Sequence, residues 1–159
     1  MPLDWKDTIE ITRARPAQAA ELTRIAIAAK AHWGYPERWM ALWAPLLAIS
    51  PDYIATNEVW AAALGPEIAG FYSLTDLGRA VSLENMWVLP RYIRQGLGRG
   101  LFSHALARCR QLGYETLRIE ADPHAQGFYE HMGAHKIGEH VDLLDGQPRI
   151  LPLLEMALR

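Results

Sequence analysis

The chain has 159 residues, half of them hydrophobic and 21% charged, with a formal charge of −2 and a pI near 6.3. That balance suits one soluble domain over residues 1–159 with a sizeable core, and it argues against a general nucleic-acid binder. The single cysteine excludes an intrachain disulfide, and no run approaches the length of a membrane span, so no membrane partner is expected.

The N-terminal stretch Met1-Pro2-Leu3-Asp4-Trp5 lacks the apolar core of a secretory leader. With the lone thiol, it makes a cytoplasmic location the expectation. Residues 8–13 alternate through Ile9 and Ile11 and predict a first strand. Pro16 suits a helix start, and an alanine-rich helix follows, anchored by Leu22, Ile25, Ile27 and Ala29 until Gly34 breaks it.

His32, Trp33, Tyr35, Trp39 and Trp43 then crowd one short stretch, where a second helix is expected from Pro36 toward Leu47. Trp39 and Trp43 are spaced i,i+4 and read as helix core. His32, Trp33 and Tyr35 lie at the break between helices and are the candidates to face a pocket. Ser50-Pro51-Asp52-Tyr53 reads as a turn. Residues 58–64 and 67–75 predict two strands joined at Gly65-Pro66, and Asp76-Leu77-Gly78 makes the next turn.

The informative stretch follows. Residues 82–89 alternate, with Ser82, Glu84, Met86 and Val88 on one face and Leu83, Asn85, Trp87 and Leu89 on the other; Pro90 ends the strand. Leu97, Leu101, Ala105 and Cys109 continue as a helical stripe, closed by Gly113. Between strand and helix lies Arg94-Gln95-Gly96-Leu97-Gly98-Arg99-Gly100. Glycines there let backbone N–H groups approach a ligand, and a helix start adds unpaired donors and partial positive charge. Residues 85–114 contain five arginines and no acid, leaving −7 on the remainder. An anionic ligand such as a pyrophosphate is the inference. The spacing is neither that of the dinucleotide fingerprint nor that of a P-loop.

Downstream, residues 116–121 predict a strand, Asp122-Pro123 a capped helix start and Gly133 its end. Residues 136–144 and 149–158 predict a final hairpin around Asp145-Gly146. His131 and His135 straddle Gly133, so no metal site is expected. Cys109, on the apolar stripe, reads as a buried structural thiol.

Two runs carry a family resemblance. Gln95-Gly96-Leu97-Gly98-Arg99-Gly100 resembles motif A of the GCN5-related N-acetyltransferases (GNAT family), and residues 122–134, with Phe128-Tyr129, resemble motif B. Asp122 stands where asparagine is common and Ala134 where phenylalanine is frequent. The resemblance implies an α/β fold: a mixed, largely antiparallel sheet of about seven strands with about four helices on its faces. It implies acetyl-CoA as co-substrate, attacked directly by an amine in a ternary complex.

By the same resemblance, the pyrophosphate is held at Arg94, Gln95, Gly96, Leu97, Gly98, Arg99 and Gly100, and the pantetheine arm runs along Met86, Trp87 and Val88, with Phe128 nearby. Tyr129 is the implied acid at the leaving sulfur. Glu84 is the base candidate, with Glu120 or water as alternatives. His32, Trp33 and Tyr35 are expected on the acceptor side. A small-molecule or peptide amine is the implied acceptor, a homodimer is among the open oligomeric options, and an idle acyl-CoA-binding module is the alternative to an enzyme.

Overall fold

The computed structural model describes residues 8–159; the expectation of a leaderless N-terminus falls on residues outside that range. In chain order the elements are β1 (Ile9–Arg13), α1 (Ala19–Ala31), α2 (Glu37–Leu47), α3 (Pro51–Thr56), β2 (Glu58–Leu64), β3 (Glu67–Asp76), β4 (Ala80–Val88), α4 (Leu97–Gln111), β5 (Thr116–Glu120), α5 (Gln126–His131), β6 (His135–Leu144) and β7 (Gln147–Ala157). The seven strands hydrogen-bond in the order β1-β2-β3-β4-β5-β7-β6. β4 and β5 are parallel, whereas the β1–β2, β5–β7 and β6–β7 pairs are antiparallel. This is the mixed sheet that the sequence predicts.

Three local readings need correction. Ser50-Pro51-Asp52-Tyr53 starts α3 rather than forming a turn, which makes five helices among the described residues, consistent with the about four expected. The Ser50 hydroxyl accepts from the Tyr53 N–H at 3.0 Å, Pro51 takes the first helical position, and Ile54 is buried. A serine–proline pair opens a turn and a helix by the same chemistry; the buried Ile54 favours the helix. Second, Gly98, Arg99 and Gly100 are not loop but the first turn of α4, where the Gly100 N–H donates to the Gly96 carbonyl at 3.0 Å.

Third, β4 does not alternate without a break. The Leu77 N–H bonds to the Ala80 carbonyl, and the Leu89 N–H bonds to the Ala69 carbonyl. Ala69 to Leu77 is eight steps along the chain and Ala80 to Leu89 is nine, so β4 carries one residue more than its partner. An extra residue is a β-bulge, which breaks the two-residue period. The continuous two-face assignment for residues 82–89 therefore fails.

By internal contacts the chain forms two compact units. One comprises the residues up to Ser73 with Asn85–His104, the other Leu74–Glu84 with Ala105–Arg159. In the first, Leu22, Ile54, Val59, Phe71, Tyr72 and Leu101 are buried. In the second, Val81, Cys109, Leu117, Ile119 and Leu154 are buried, and Cys109 takes the structural place expected of it. The β6–β7 hairpin of this unit turns at Asp145 and Gly146, both at positive φ (54° and 76°), as an Asp-Gly hairpin turn requires. Its register shifts between Lys136 and Gly138, leaving Ile137 as the extra residue.

Candidate active site

In the first unit, the site is a strand, a turn and a helix. Met86, Trp87 and Val88 are half-buried at the end of β4. Their position is fixed from the side by Asn85, whose amide donates to the Ser73 hydroxyl at 2.8 Å and accepts from the Trp87 indole N–H at 2.9 Å. The Ser73 hydroxyl is shared with the Tyr53 phenol, 2.8 Å away. Behind the strand, Gly70 lies so close that a Cβ there would stand 2.7 Å from the Trp87 carbonyl oxygen and 3.1 Å from the Leu101 side chain. Only glycine permits that approach.

A short 3₁₀ turn, Pro90–Tyr92, leads on from β4. Arg91 pairs with Glu67, and the Tyr92 hydroxyl donates to the same carboxylate at 3.1 Å. Arg94 and Gly96 both take positive φ, 65° and 90°, a rarely populated conformation for arginine. They swing the chain into α4. The N–H groups of Leu97, Gly98 and Arg99 precede the first intrahelical donor, the Gly100 N–H, so the helix leaves them available to a ligand. Arg94, Gln95, Arg99 and Gly100 are exposed around them, while Leu97 is buried as the helix anchor.

The arginine island divides in the structure. Arg94 and Arg99 flank the turn, but Arg91 is engaged by Glu67. Arg108 and Arg110 lie in the last turn of α4, where Arg110 donates to the Leu158 carbonyl at 3.0 Å. Those two serve the helix C-terminus rather than its start.

His32 and Trp33 are exposed at the end of α1, with their rings 5.4 Å apart. Tyr35 is different. It packs edge-on against Trp43 at 4.8 Å and beside Trp39 at 6.0 Å. The buried Lys30 ammonium sits 5.0 Å from the Tyr35 ring and 4.3 Å from that of Trp43. Tyr35 thus packs with half-buried Trp39 and buried Trp43 beside the protein's own cation.

In the second unit, Tyr129 on α5 is buried. Burial first, and the Asp122 carboxylate second, push its phenol well above the ordinary tyrosine range. It therefore stays protonated across the physiological range. Phe128 packs edge-on against it, 5.2 Å between ring centres. Asp122 accepts from the His124 N–H at 2.9 Å, capping the turn ahead of α5, and meets Arg149 at 3.1 Å with both side chains largely shielded.

Glu84 is exposed on β4. The parallel β4–β5 pairing runs through Ala80–Thr116, Val81–Leu117 and Ser82–Arg118 and ends there among the described residues, although β5 continues to Glu120. Glu84 thus lies two residues past the last pair. Glu120 is exposed as well, 3.5 Å from the His140 ring.

Sequence reasoning missed Asn85, Ser73, Tyr53, Gly70, Lys30 and Arg149. One signal was available: asparagine is depleted in strand interiors, and Asn85 stood in one without a stated reason. Among the described residues no three His, Cys, Asp or Glu side chains gather as metal ligands would. No helix there is long and apolar enough to cross a membrane.

The sequence matches the acetyltransferase (GNAT) family over residues 19–134. No curated relative matches it. Among solved structures, a GCN5-related N-acetyltransferase from Rhodopseudomonas palustris superposes with a TM-score of 0.78 at 19% identity, covering 94% of this chain and 96% of its own. The PaiA N-acetyltransferase from Thermoplasma acidophilum, solved with coenzyme A, gives 0.74 at 18%, covering 94% and 98%. YncA from Salmonella typhimurium, solved with its cofactor acetyl-CoA, gives 0.71 at 17%, covering 95% and 94%. At such identities the likeness is one of fold.

Proposed function

The chain belongs to the acetyltransferase (GNAT) family, and from that premise we propose that it moves an acetyl group from acetyl-CoA to a primary amine by direct attack in a ternary complex. The observation that carries the reading is the turn into α4. Arg94 and Gly96 at positive φ present the start of a fifteen-residue helix, with exposed Arg94 and Arg99 beside it. Unpaired N–H groups, two guanidinium groups and no nearby side chain against which a Cβ at Gly96 or Gly100 would collide form a donor set that fits a pyrophosphate. The complexes of two structural relatives with CoA and acetyl-CoA support the same cofactor.

When bound, acetyl-CoA supplies an activated thioester. The N–H groups of Leu97, Gly98 and Arg99 would hold its pyrophosphate, and the backbone of Met86, Trp87 and Val88 would face its pantetheine arm, with Phe128 beside it. Asn85 and Gly70 keep that strand in place. The acceptor nitrogen must be neutral to attack, and an alkyl amine with a pKa of about 10.4 is mostly protonated at neutral pH. Glu84, exposed to solvent, takes the surplus proton directly or through water; Glu120 is the alternative base.

As the N–C bond forms and the C–S bond breaks, the sulfur takes the bond's electron pair and the acylated nitrogen sheds its remaining surplus proton to water. Tyr129 donates to it. A phenol held well above the usual range keeps its proton in the resting enzyme, so its first contribution is a strong hydrogen bond to the sulfur as charge develops there. The thiol is completed by a proton passed through that phenol and replaced from solvent.

The test is thermal unfolding with acetyl-CoA, CoA, ATP or NAD, followed by thiol release against an amine panel. A ligand at 100 times its dissociation constant adds about 2.7 kcal/mol. A rise with both CoA forms, and thiol release dependent on an amine, supports the proposal. CoA binding without turnover would leave an acyl-CoA-binding module. A response to ATP or NAD alone would overturn the acetyltransferase reading.

A further inference from the structure

A depression of about 200 Å³ lies within the second unit, lined by Ser82, Arg118, Ile119, Glu120, Ile137, Leu153 and Leu154. It has the volume of roughly seven waters, enough for a short alkyl chain or one ring. We propose, resting on the acetyltransferase reading, that it is the acceptor subsite and takes a primary amine carried on a short apolar body without a carboxylate.

Position comes first. The last β4–β5 pair is Ser82–Arg118, and both residues line the depression. Glu84 is two residues further along β4, about 7 Å on, and exposed. An acceptor body lying here presents its nitrogen toward the candidate base.

The apolar part follows from a bulge. Lys136 pairs with Leu154 and Gly138 with Leu153, so Ile137 has no partner across the β6–β7 ladder. A bulged residue is re-aimed, and Ile137 lines the depression with the two leucines opposite it. It remains 52% exposed. Val141, Leu143 and Ile150 of the same hairpin are exposed as well, but of these four only Ile137 lines the depression.

Charge decides the class. Register places Glu155 beside Arg118, with Arg118 Nε 3.6 Å from Glu155 Oε2, so the only guanidinium at the depression is already matched by a carboxylate. Glu120 faces His140 at 3.5 Å, and Glu84 lies beyond. Three carboxylates thus share this stretch with one guanidinium. The surplus attracts an ammonium and repels an acceptor bearing its own carboxylate.

The experiment has two stages. Thermal unfolding with CoA decides the parent reading; no shift overturns both that reading and the subsite. If CoA binds, thiol release from acetyl-CoA is followed with propylamine, butylamine, pentylamine, hexylamine and norleucine. The proposal expects kcat/KM to rise about threefold per methylene and then level off. It also expects pentylamine to exceed norleucine by at least about tenfold.

Ile137→Asn, at an exposed position, raises KM for hexylamine about tenfold while kcat and the KM for acetyl-CoA stay within about twofold. Glu120→Gln raises amine KM about two- to fivefold. A flat chain-length series, a preference for norleucine, or an unchanged hexylamine KM in Ile137→Asn overturns the subsite and leaves the acetyltransferase reading standing. CoA binding without turnover of any amine overturns it as well.

Discussion

Asn85 holds Trp87 by its indole, at 2.9 Å, with the same amide that grips the buried Ser73 at 2.8 Å. Two adjacent strands are thereby pinned by side chains as well as by their ladder. Asn85→Leu should leave the Trp87 N–H and the Ser73 hydroxyl short of a partner. A buried polar group in that condition costs about 1–3 kcal/mol. Urea denaturation should show a loss in that range with an unchanged m-value. An unchanged midpoint would mean that water satisfies both groups and that the network does not set the strand.

Gly70→Ala tests the opposite side of β4. The new methyl would stand 2.7 Å from the Trp87 carbonyl, a backbone atom that cannot rotate away, and 3.1 Å from Leu101. Overpacking of this kind costs about 1–3 kcal/mol. Since Met86, Trp87 and Val88 are the proposed pantetheine contacts, the KM for acetyl-CoA should rise several-fold more than the KM for the amine. Equal changes in both would argue that the displaced strand does not carry the cofactor.

These two residues also show where sequence reading reached its limit. Strand positions, the helix of the glycine-rich turn and the closing hairpin were legible because periodicity and turn chemistry are local. The face assignment across β4 was not. A bulge is one extra residue in a ladder, and it shows only when both partners' registers are known, here Ala80 against Leu77 and Leu89 against Ala69. The packing of Tyr35 over Lys30 was out of reach for a related reason: the burial of Lys30 beside it depends on how α1 and α2 pack, which no spacing records. Ser50-Pro51 carried the right signal but for two structures, and the burial of Ile54 favoured the helix.

Asp122, where the family commonly has asparagine, has a structural task in this chain. Its carboxylate caps the turn and meets Arg149, with side-chain exposures of only 9% and 13%. Asp122→Asn keeps an acceptor for the His124 N–H but removes the negative charge that faces the guanidinium and the His124 ring. The expected loss is about 3 kcal/mol, since removing one member of a shielded pair leaves the other uncompensated. Arg149→Gln in the same background should cost little more, because the two changes remove one interaction. Additive losses would show that the pair is not coupled.

Tyr129 ties stability, pH and catalysis together. Its phenol is raised above the ordinary value by burial and then by Asp122, so ionisation is easier in the unfolded chain than in the folded one. The stabilisation this provides is complete below the unfolded pKa of about 10. Above that pH the unfolded chain sheds its proton first, so folding stability falls as pH rises toward the folded value. Tyr129→Phe removes that dependence. Its urea midpoint should decline less than that of the parent protein between pH 9 and pH 11, and Asp122→Asn should fall between the two. In turnover, Tyr129→Phe should lower kcat about a hundredfold, with the KM for acetyl-CoA changed by less than about threefold. Below pH 9 the rate profile of the parent should show no loss attributable to phenol ionisation. Unchanged kcat in Tyr129→Phe, with the alkaline stability effect intact, would reduce Tyr129 to a packing residue and send the search for the acid elsewhere.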